Sequence, residues 1–436
     1  MSSRQEKISE KIIPGIMKFV NLKAIVALKD GILFTMPLII VGSILLLITQ
    51  FPWSGFDPLM TSIFGSEWAE PLKQAYGASF NIIAIVAAIG IAYTYVKNEG
   101  YEPLSAGVLS LVIFLIATPS TAVSEGKDVV AEVIPKAWTG GKGMITAILV
   151  GLLVGYLYSW FMKKDIKIKM PAGVPEGVTN AFSALLPATI MILAAILVYI
   201  FFKVVTGGTF VEWIYRVIQT PLQGLSDSLG AVLIITFLIP FMWLFGVHGA
   251  TIIGGIMDPL LIANSLENQA IIDSGKALTI ANGAHIVTHQ FLNIYINMTG
   301  TGLTLGLVLA MIFFGKSQQS KKLGGLSFVP GCFNINEPVL FGFPIVMNPI
   351  MAVPFILNPM LTGIILYCSI RFGLVAPFGG IMPPWTTPPI VSGFLAGGWR
   401  AALLQALLII MSLLVYLPFF KKQDAINLKM EQEAVK

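Results

Sequence analysis

A carboxylate in an apolar run is the first feature of this chain that calls for a chemical explanation. Glu337 stands in Phe333-Asn334-Ile335-Asn336-Glu337-Pro338-Val339-Leu340-Phe341-Gly342-Phe343-Pro344. A charge at the centre of a membrane helix costs roughly 2.5–3.5 kcal/mol on insertion scales, so such groups mark substrate paths, proton relays or ion pairs. Pro338 cannot extend a regular helical ladder. The carbonyls it frees, with the amides of Asn334 and Asn336, suit the hydroxyl groups of a sugar. Glu337 can accept a proton from a hydroxyl held within hydrogen-bond reach. The competing reading is a buried structural ion pair with Arg371 or a lysine.

Two further constellations share this chemistry. In Trp243-Leu244-Phe245-Gly246-Val247-His248-Gly249-Ala250, a histidine ends an apolar span between glycines, beside an indole. His248 can donate or accept a hydrogen bond near neutral pH; the plainer alternative is a histidine satisfied by helix packing. In Met382-Pro383-Pro384-Trp385-Thr386-Thr387-Pro388-Pro389, the prolines forbid a normal helix. Trp385 then offers a platform for the apolar face of a pyranose, with Thr386 at its rim; the alternative is an interfacial anchor.

Weaker features complete the inventory. His285 and His289 are four residues apart without the acid of a zinc-protease helix, so a polar helix contact is favoured over a metal site. Asp258 before Pro259 suggests a turn or cap. Gly140-Gly141-Lys142-Gly143 lacks phosphate-loop spacing and suggests a turn before a span. Cys332 and Cys368 lie in apolar contexts and form no CxxC pair. No resident metal or cofactor is expected.

The elements that must position these residues are membrane helices. Of 436 residues, 56% are hydrophobic and 11% charged, against about 25% charged in soluble domains. Stretches near 20 apolar residues recur from about 31 to 420, the length a crossing helix needs. Five regular spans are expected at about 31–51, 77–96, 104–122, 144–162 and 179–202. A clean span at 230–247 follows. Segments at 249–265, 284–315 and 326–347 read as interrupted, and spans at 349–371, 374–396 and 398–420 close the series. Broken apolar segments occur only where they are buried in protein or line a cavity, and in transporters they build the binding site.

This pattern predicts an amphipathic N-terminal segment (1–30), a scaffold (31–205), an amphipathic linker (206–228), a working transport domain (229–420) and a tail (421–436). Met1–Lys29 shows no signal-peptide pattern. Lysines cluster at the N-terminus, 163–169, 316–322 and 421–422. By the positive-inside rule both termini are cytoplasmic. The net charge of +5 therefore concerns orientation, and no nucleic-acid partner is expected.

Together, the Phe333–Pro344 run, Phe245-Gly246-Val247-His248-Gly249 and Trp385-Thr386-Thr387-Pro388-Pro389 resemble the membrane component, IIC, of the lactose/cellobiose/diacetylchitobiose group of bacterial sugar phosphotransferase systems. The resemblance covers nearly the whole chain. It implies an all-α multi-pass protein of the bacterial cytoplasmic membrane, with about ten transmembrane helices and two re-entrant hairpins. It implies a homodimer formed through the N-terminal half, lipid around it, and one disaccharide held in the C-terminal half. A cytoplasmic IIB subunit, itself served by IIA, would pass phosphate from a phosphocysteine to the sugar 6-hydroxyl. By carry-over Glu337 orients or deprotonates that hydroxyl and His248 hydrogen-bonds it, while Asn336, Trp243 and Trp385 line the sugar. Phosphoryl transfer asks mainly for positioning from the protein, and the chain shows neither a nucleotide loop nor an activated cysteine. Absence of a fused IIB domain leans toward a cellobiose- or diacetylchitobiose-type β-linked sugar over lactose. The rival from another class is a proton-coupled symporter in which Glu337 carries the proton. An intramembrane hydrolase lacks a recognisable nucleophile–base pair.

Overall fold

The computed structural model describes residues 14–434, apart from 16, 54, 124–128, 172, 344, 346 and 347. Much of the expected N-terminal segment (1–13, 16), Pro344 and residues 435–436 lie outside the described residues. The described chain is mostly helical; one short antiparallel hairpin, Thr121–Val123 with Val129–Ala131, departs from the all-α expectation. Among the described residues, seven helices are long and apolar enough to cross a membrane, or up to eight if the bent pair Phe210–Ser226 and Leu229–Trp243 is one span. The helix Leu104–Ile116 is shorter than its expected span.

The chain divides into two compact units, the first comprising Met1–Gly42, Pro71–Gly224 and Gly255–Leu266. Its helices Lys23–Ile32, Ile83–Asn98 and Met144–Lys163 pack through glycines. A Cβ on Gly90 would lie 2.4 Å from the Gly31 carbonyl oxygen, and one on Gly155 would lie 2.6 Å from Tyr95 Cβ. Small residues permit the close backbone approach on which helix association in lipid relies. The 31-residue helix Glu176–Thr206 is different: only 11% of its apolar window is buried. At 1.5 Å per residue it reaches about 46 Å, enough to span the hydrocarbon. The turn predicted at Gly140–Gly143 is present as a 3-10 turn, Gly141–Gly143, leading into Met144–Lys163.

The second unit comprises Ser43–Glu70, Leu225–Gly254 and Glu267–Lys436. Its core gathers Leu305, Val308 and Met311 from one helix with Val339, Leu340, Phe343, Phe355, Tyr416 and Phe420. Irregular backbone is tied to regular helices by buried polar groups. Tyr416 Oη donates to the Gly302 carbonyl at 2.7 Å, and Ser412 Oγ donates to the Leu303 carbonyl at 2.6 Å. The final helical stretch, Val391–Ala434, is two helices joined at Gly398, whose φ of 73° and ψ of −167° no helix accommodates.

Three sequence expectations are corrected. The segment expected to break at 249–265 is one continuous helix, Gly249–Asp273, with Pro259 inside it. Asp258 therefore sits mid-helix and is not a turn or cap. The span expected at 374–396 is mostly absent: residues 372–390 contain no helix, because Pro377, Pro383, Pro384, Pro388 and Pro389 interrupt the ladder. The 284–315 and 326–347 segments are interrupted as expected. The first carries a π-helix, Phe291–Ile296, before Leu305–Phe314, and the second divides into Gln318–Cys332 and Glu337–Gly342.

Candidate functional site

A cleft of about 250 Å3 in the second unit brings together Trp243, His248, Asn334, Asn336, Glu337 and Trp385. Those six were picked out from sequence on three separate segments. Thr386 is exposed and does not line the cleft. The volume lies near the lower end for small-molecule sites, roughly 300 Å3.

His248 is held by its helix. It is the N-cap of Gly249–Asp273, and its Nδ1 accepts from the Thr251 backbone N–H at 3.2 Å, with Thr251 Oγ1 at 2.8 Å. Because Nδ1 is an acceptor, the neutral ring carries its proton on Nε2. The indole of Trp243 packs on the imidazole with centroids 4.6 Å apart. The flanking glycines have separate reasons. Gly246 turns at φ +75°, and a Cβ on Gly249 would sit 2.1 Å from the Ile239 carbonyl oxygen. The chain must come that close to Leu229–Trp243 for His248 to start the next helix.

Glu337 overturns one premise of the sequence reading, because it is exposed, not buried. Its carboxylate opens onto the cleft and is not packed inside the protein. Among the described residues it forms no ion pair, and Arg371 lines a different cavity. Pro338 also acts differently from expectation. It opens the helix Glu337–Gly342, where a missing N–H has no partner to lose.

The two asparagines are structural clamps as well as lining residues. Asn334 adopts φ +65°; its Oδ1 accepts from Thr299 N at 2.7 Å, and its Nδ2 donates to the Trp385 and Thr387 carbonyls at 2.6 and 3.0 Å. One amide thus fixes Thr299, its own loop and the loop bearing Trp385. Asn336 donates from Nδ2 to the Thr301 carbonyl at 2.9 Å. It fits only because Gly300, at φ +83°, has no Cβ; one there would lie 2.2 Å from Asn336 Cγ.

Sequence reading missed Asn293 and Asn297, which line the same cleft. Asn293 lies within the π-helix Phe291–Ile296, and its Nδ2 is 2.9 Å from His289 Nε2. Single π-turns recur at functional sites. A signal was available: His285, His289, Asn293 and Asn297 recur every fourth residue through an apolar stretch. Two buried lining atoms, Trp243 Nε1 and Asn297 Oδ1, have no hydrogen-bond partner among the described residues. Unsatisfied buried polar atoms are rare, and here they offer one donor and one acceptor to whatever fills the cleft.

His285 belongs to a separate cluster. Its Nε2 lies 3.3 Å from Glu267 Oε2 and its Nδ1 3.6 Å from Asp227 Oδ2. Its backbone is gripped by Asn268, whose Oδ1 accepts from His285 N at 2.7 Å. Burial pulls the imidazolium pKa down, but the two carboxylates outweigh it and push the group up to about 9. His285 lies outside the long spanning helices.

Fold and cleft together define a multi-helix membrane protein with a polar, aromatic-flanked cleft. Comparison with known proteins is specific. Residues 29–359 match the family "Phosphotransferase system, EIIC". The chain belongs to this family, the membrane component of sugar phosphotransferase systems. It is 40% identical to the putative permease IIC component YwbA of Bacillus subtilis, over 97% of this chain and 96% of the relative. It is 37% identical to the lichenan permease IIC component of the same organism, over 99% and 96%. It is 34% identical to the cellobiose-specific EIIC component of Geobacillus stearothermophilus, over 96% and 93%. The solved structure of ChbC, the IIC component of an N,N'-diacetylchitobiose-specific system, superposes with a TM-score of 0.92 at 36% identity, covering 98% of this chain and 99% of that one.

Proposed function

We propose that this chain is a IIC permease for a β-linked disaccharide of the cellobiose or diacetylchitobiose type. It carries the sugar across the bacterial cytoplasmic membrane and presents the 6-hydroxyl to the phosphocysteine of IIB. The observation that carries this reading is one cleft lined by an exposed carboxylate, Glu337, and a fixed imidazole, His248, beside two indoles. Glu337 orients the hydroxyl and accepts its proton as the oxygen attacks phosphorus and the phosphorus–sulfur bond breaks, the IIB cysteine leaving as its thiolate; His248 donates from Nε2 to the sugar oxygen or its neighbour. Trp243 and Trp385 stack on the apolar ring faces, while Asn293, Asn297 and Asn336 meet ring hydroxyls. A phosphorylated sugar is trapped inside, since its charge opposes re-entry into the bilayer.

The architecture follows the same reading: about ten crossings and two re-entrant hairpins, both termini cytoplasmic, and a homodimer. Residues 31–205 form the dimerisation scaffold, the amphipathic 206–228 segment links it onward, and 229–420 carries the sugar. The sugar assignment draws on relatives named for lichenan, cellobiose, oligo-β-mannoside and diacetylchitobiose.

A binding panel on the purified chain tests the substrate class. Cellobiose or diacetylchitobiose should bind at least tenfold more tightly than lactose. Preference for lactose would point to a lactose-type permease instead. Uptake into vesicles driven by a pH gradient without phosphorylated IIB would replace the phosphotransferase mechanism with proton symport.

A further inference from the structure

The second unit holds another cavity, about 490 Å3, that the sugar reading does not use. It is formed by the loop residues Leu278–Ile280, the end of Pro349–Arg371 with the residues after it, and the Gly397–Arg400 junction. Two guanidinium groups, Arg371 and Arg400, line it, and among the described residues no carboxylate does. Neither arginine makes an ion pair among the described residues. Arg400 rests near the indole of Trp399, at 5.5 Å from its centroid. Two like charges around one cavity without an acid repel each other unless an anion lies between them. Paired guanidiniums suit the oxygens of a phosphate group, which they can bind with two parallel hydrogen bonds each.

Position narrows the source of that phosphate. Arg371 is the last residue of a 23-residue spanning helix. That helix is about 35 Å long, slightly more than the hydrocarbon thickness, so its end falls at headgroup depth. Large apolar side chains lie at and beside the mouth: the lining residues Phe372 and Trp399 are 77% and 63% exposed, and Leu374, next in sequence to the lining Gly373, is 63% exposed. Exposed aromatic and aliphatic groups beside cationic ones match the edge of a bilayer, where acyl chains meet headgroups. Lys276 lies two residues from Leu278 in the bordering loop and adds a third nearby cation.

We propose that this cavity binds the phosphate of an anionic phospholipid between Arg371 and Arg400, with the acyl chains lying along Phe372, Leu374 and Trp399. The site is independent of the sugar cleft. Native mass spectrometry of the detergent-purified chain with added phosphatidylglycerol or phosphatidylcholine tests it. The parent should retain phosphatidylglycerol at least fivefold over phosphatidylcholine. The double variant Arg371→Gln, Arg400→Gln should lose that preference while binding its disaccharide as the parent does. If the double variant does not elute as a folded species, Arg400→Gln alone should lower retention at least threefold. Equal retention of the two lipids, or an unchanged preference in the variant, would overturn the proposal. Displacement of bound phosphatidylglycerol by millimolar inorganic phosphate would also overturn it, assigning the site to a soluble phosphate.

Discussion

Two histidines of the second unit stand near acids, and they are held in opposite ways. His285 has a carboxylate at each ring nitrogen, from Asp227 and Glu267, and its backbone is clamped by Asn268. His248 is exposed, uses only Nδ1 within its own helix turn, and shares an open cleft with an exposed Glu337 that has no ion partner among the described residues. The same residue types thus serve opposite ends. Charges that satisfy one another fix a loop, and charges left facing water remain available to a ligand. Location in a helix-breaking segment is common to both and does not separate them; the completeness of the hydrogen bonding does.

The largest effect that would break this contrast is expected at the closed cluster. His285→Ala should remove the imidazolium that bridges the Asp227 and Glu267 carboxylates, and breaking such a partly buried set costs up to about 3–5 kcal/mol. The loss should appear as a lower melting temperature, with phosphorylation by the remaining folded protein little changed. Its pH dependence has a definite sign. The folded imidazolium titrates near 9, above its ordinary value of about 6.5. The charge therefore contributes fully below about pH 6.5, and the contribution is lost as pH rises through about 9. The difference in melting temperature between parent and His285→Ala should narrow between pH 7 and pH 10. A constant difference would show that packing, not charge, is what His285 supplies.

At the open cluster the order reverses. His248→Ala removes a helix cap, at about 1 kcal/mol of stability, but should lower phosphorylated product by about 10–100-fold. Sugar binding measured by calorimetry should weaken far less. A stability loss larger than that of His285→Ala would erase the contrast. A smaller effect is expected from Asn334→Ala, which strands the Thr299 N–H and loosens the loop bearing Trp385. The cost should be about 1–3 kcal/mol, and it should appear in sugar affinity together with stability. The smallest concerns Thr386, which lies outside the cleft. Thr386→Ala should leave affinity within about twofold, as for a surface position, and a tenfold loss would extend the site beyond the cleft.

The regular part of the fold was legible because apolar length alone specifies a span: 144–162 and 349–371 were read closely as Gly141–Lys163 and Pro349–Arg371. Prolines were harder. Pro259 sits inside a continuous helix, Pro338 opens one, and the prolines between residues 377 and 389 abolish another. Sequence gives the missing N–H but not whether a neighbour compensates for it. The site was legible where a charged or aromatic residue stood out from apolar surroundings, as at Glu337, His248 and Trp385. Asn293 and Asn297 escaped because asparagine is common in turns, and their shared face depends on a π-helix that has no sequence mark. The exposure of Glu337 was invisible for the same reason, since it depends on segments far apart in the chain.

The central claim is that Glu337 faces the sugar's reactive hydroxyl. A single turnover tests it most directly: protein preloaded with labelled cellobiose or diacetylchitobiose is mixed with phosphorylated IIB, and sugar phosphate is counted. Glu337→Gln keeps the shape and can still hydrogen-bond, but it cannot accept the proton. Glu337→Gln should keep sugar affinity within about tenfold of the parent and lower phosphorylated product by at least about 100-fold. Equal phosphorylation rates in parent and Glu337→Gln would contradict it.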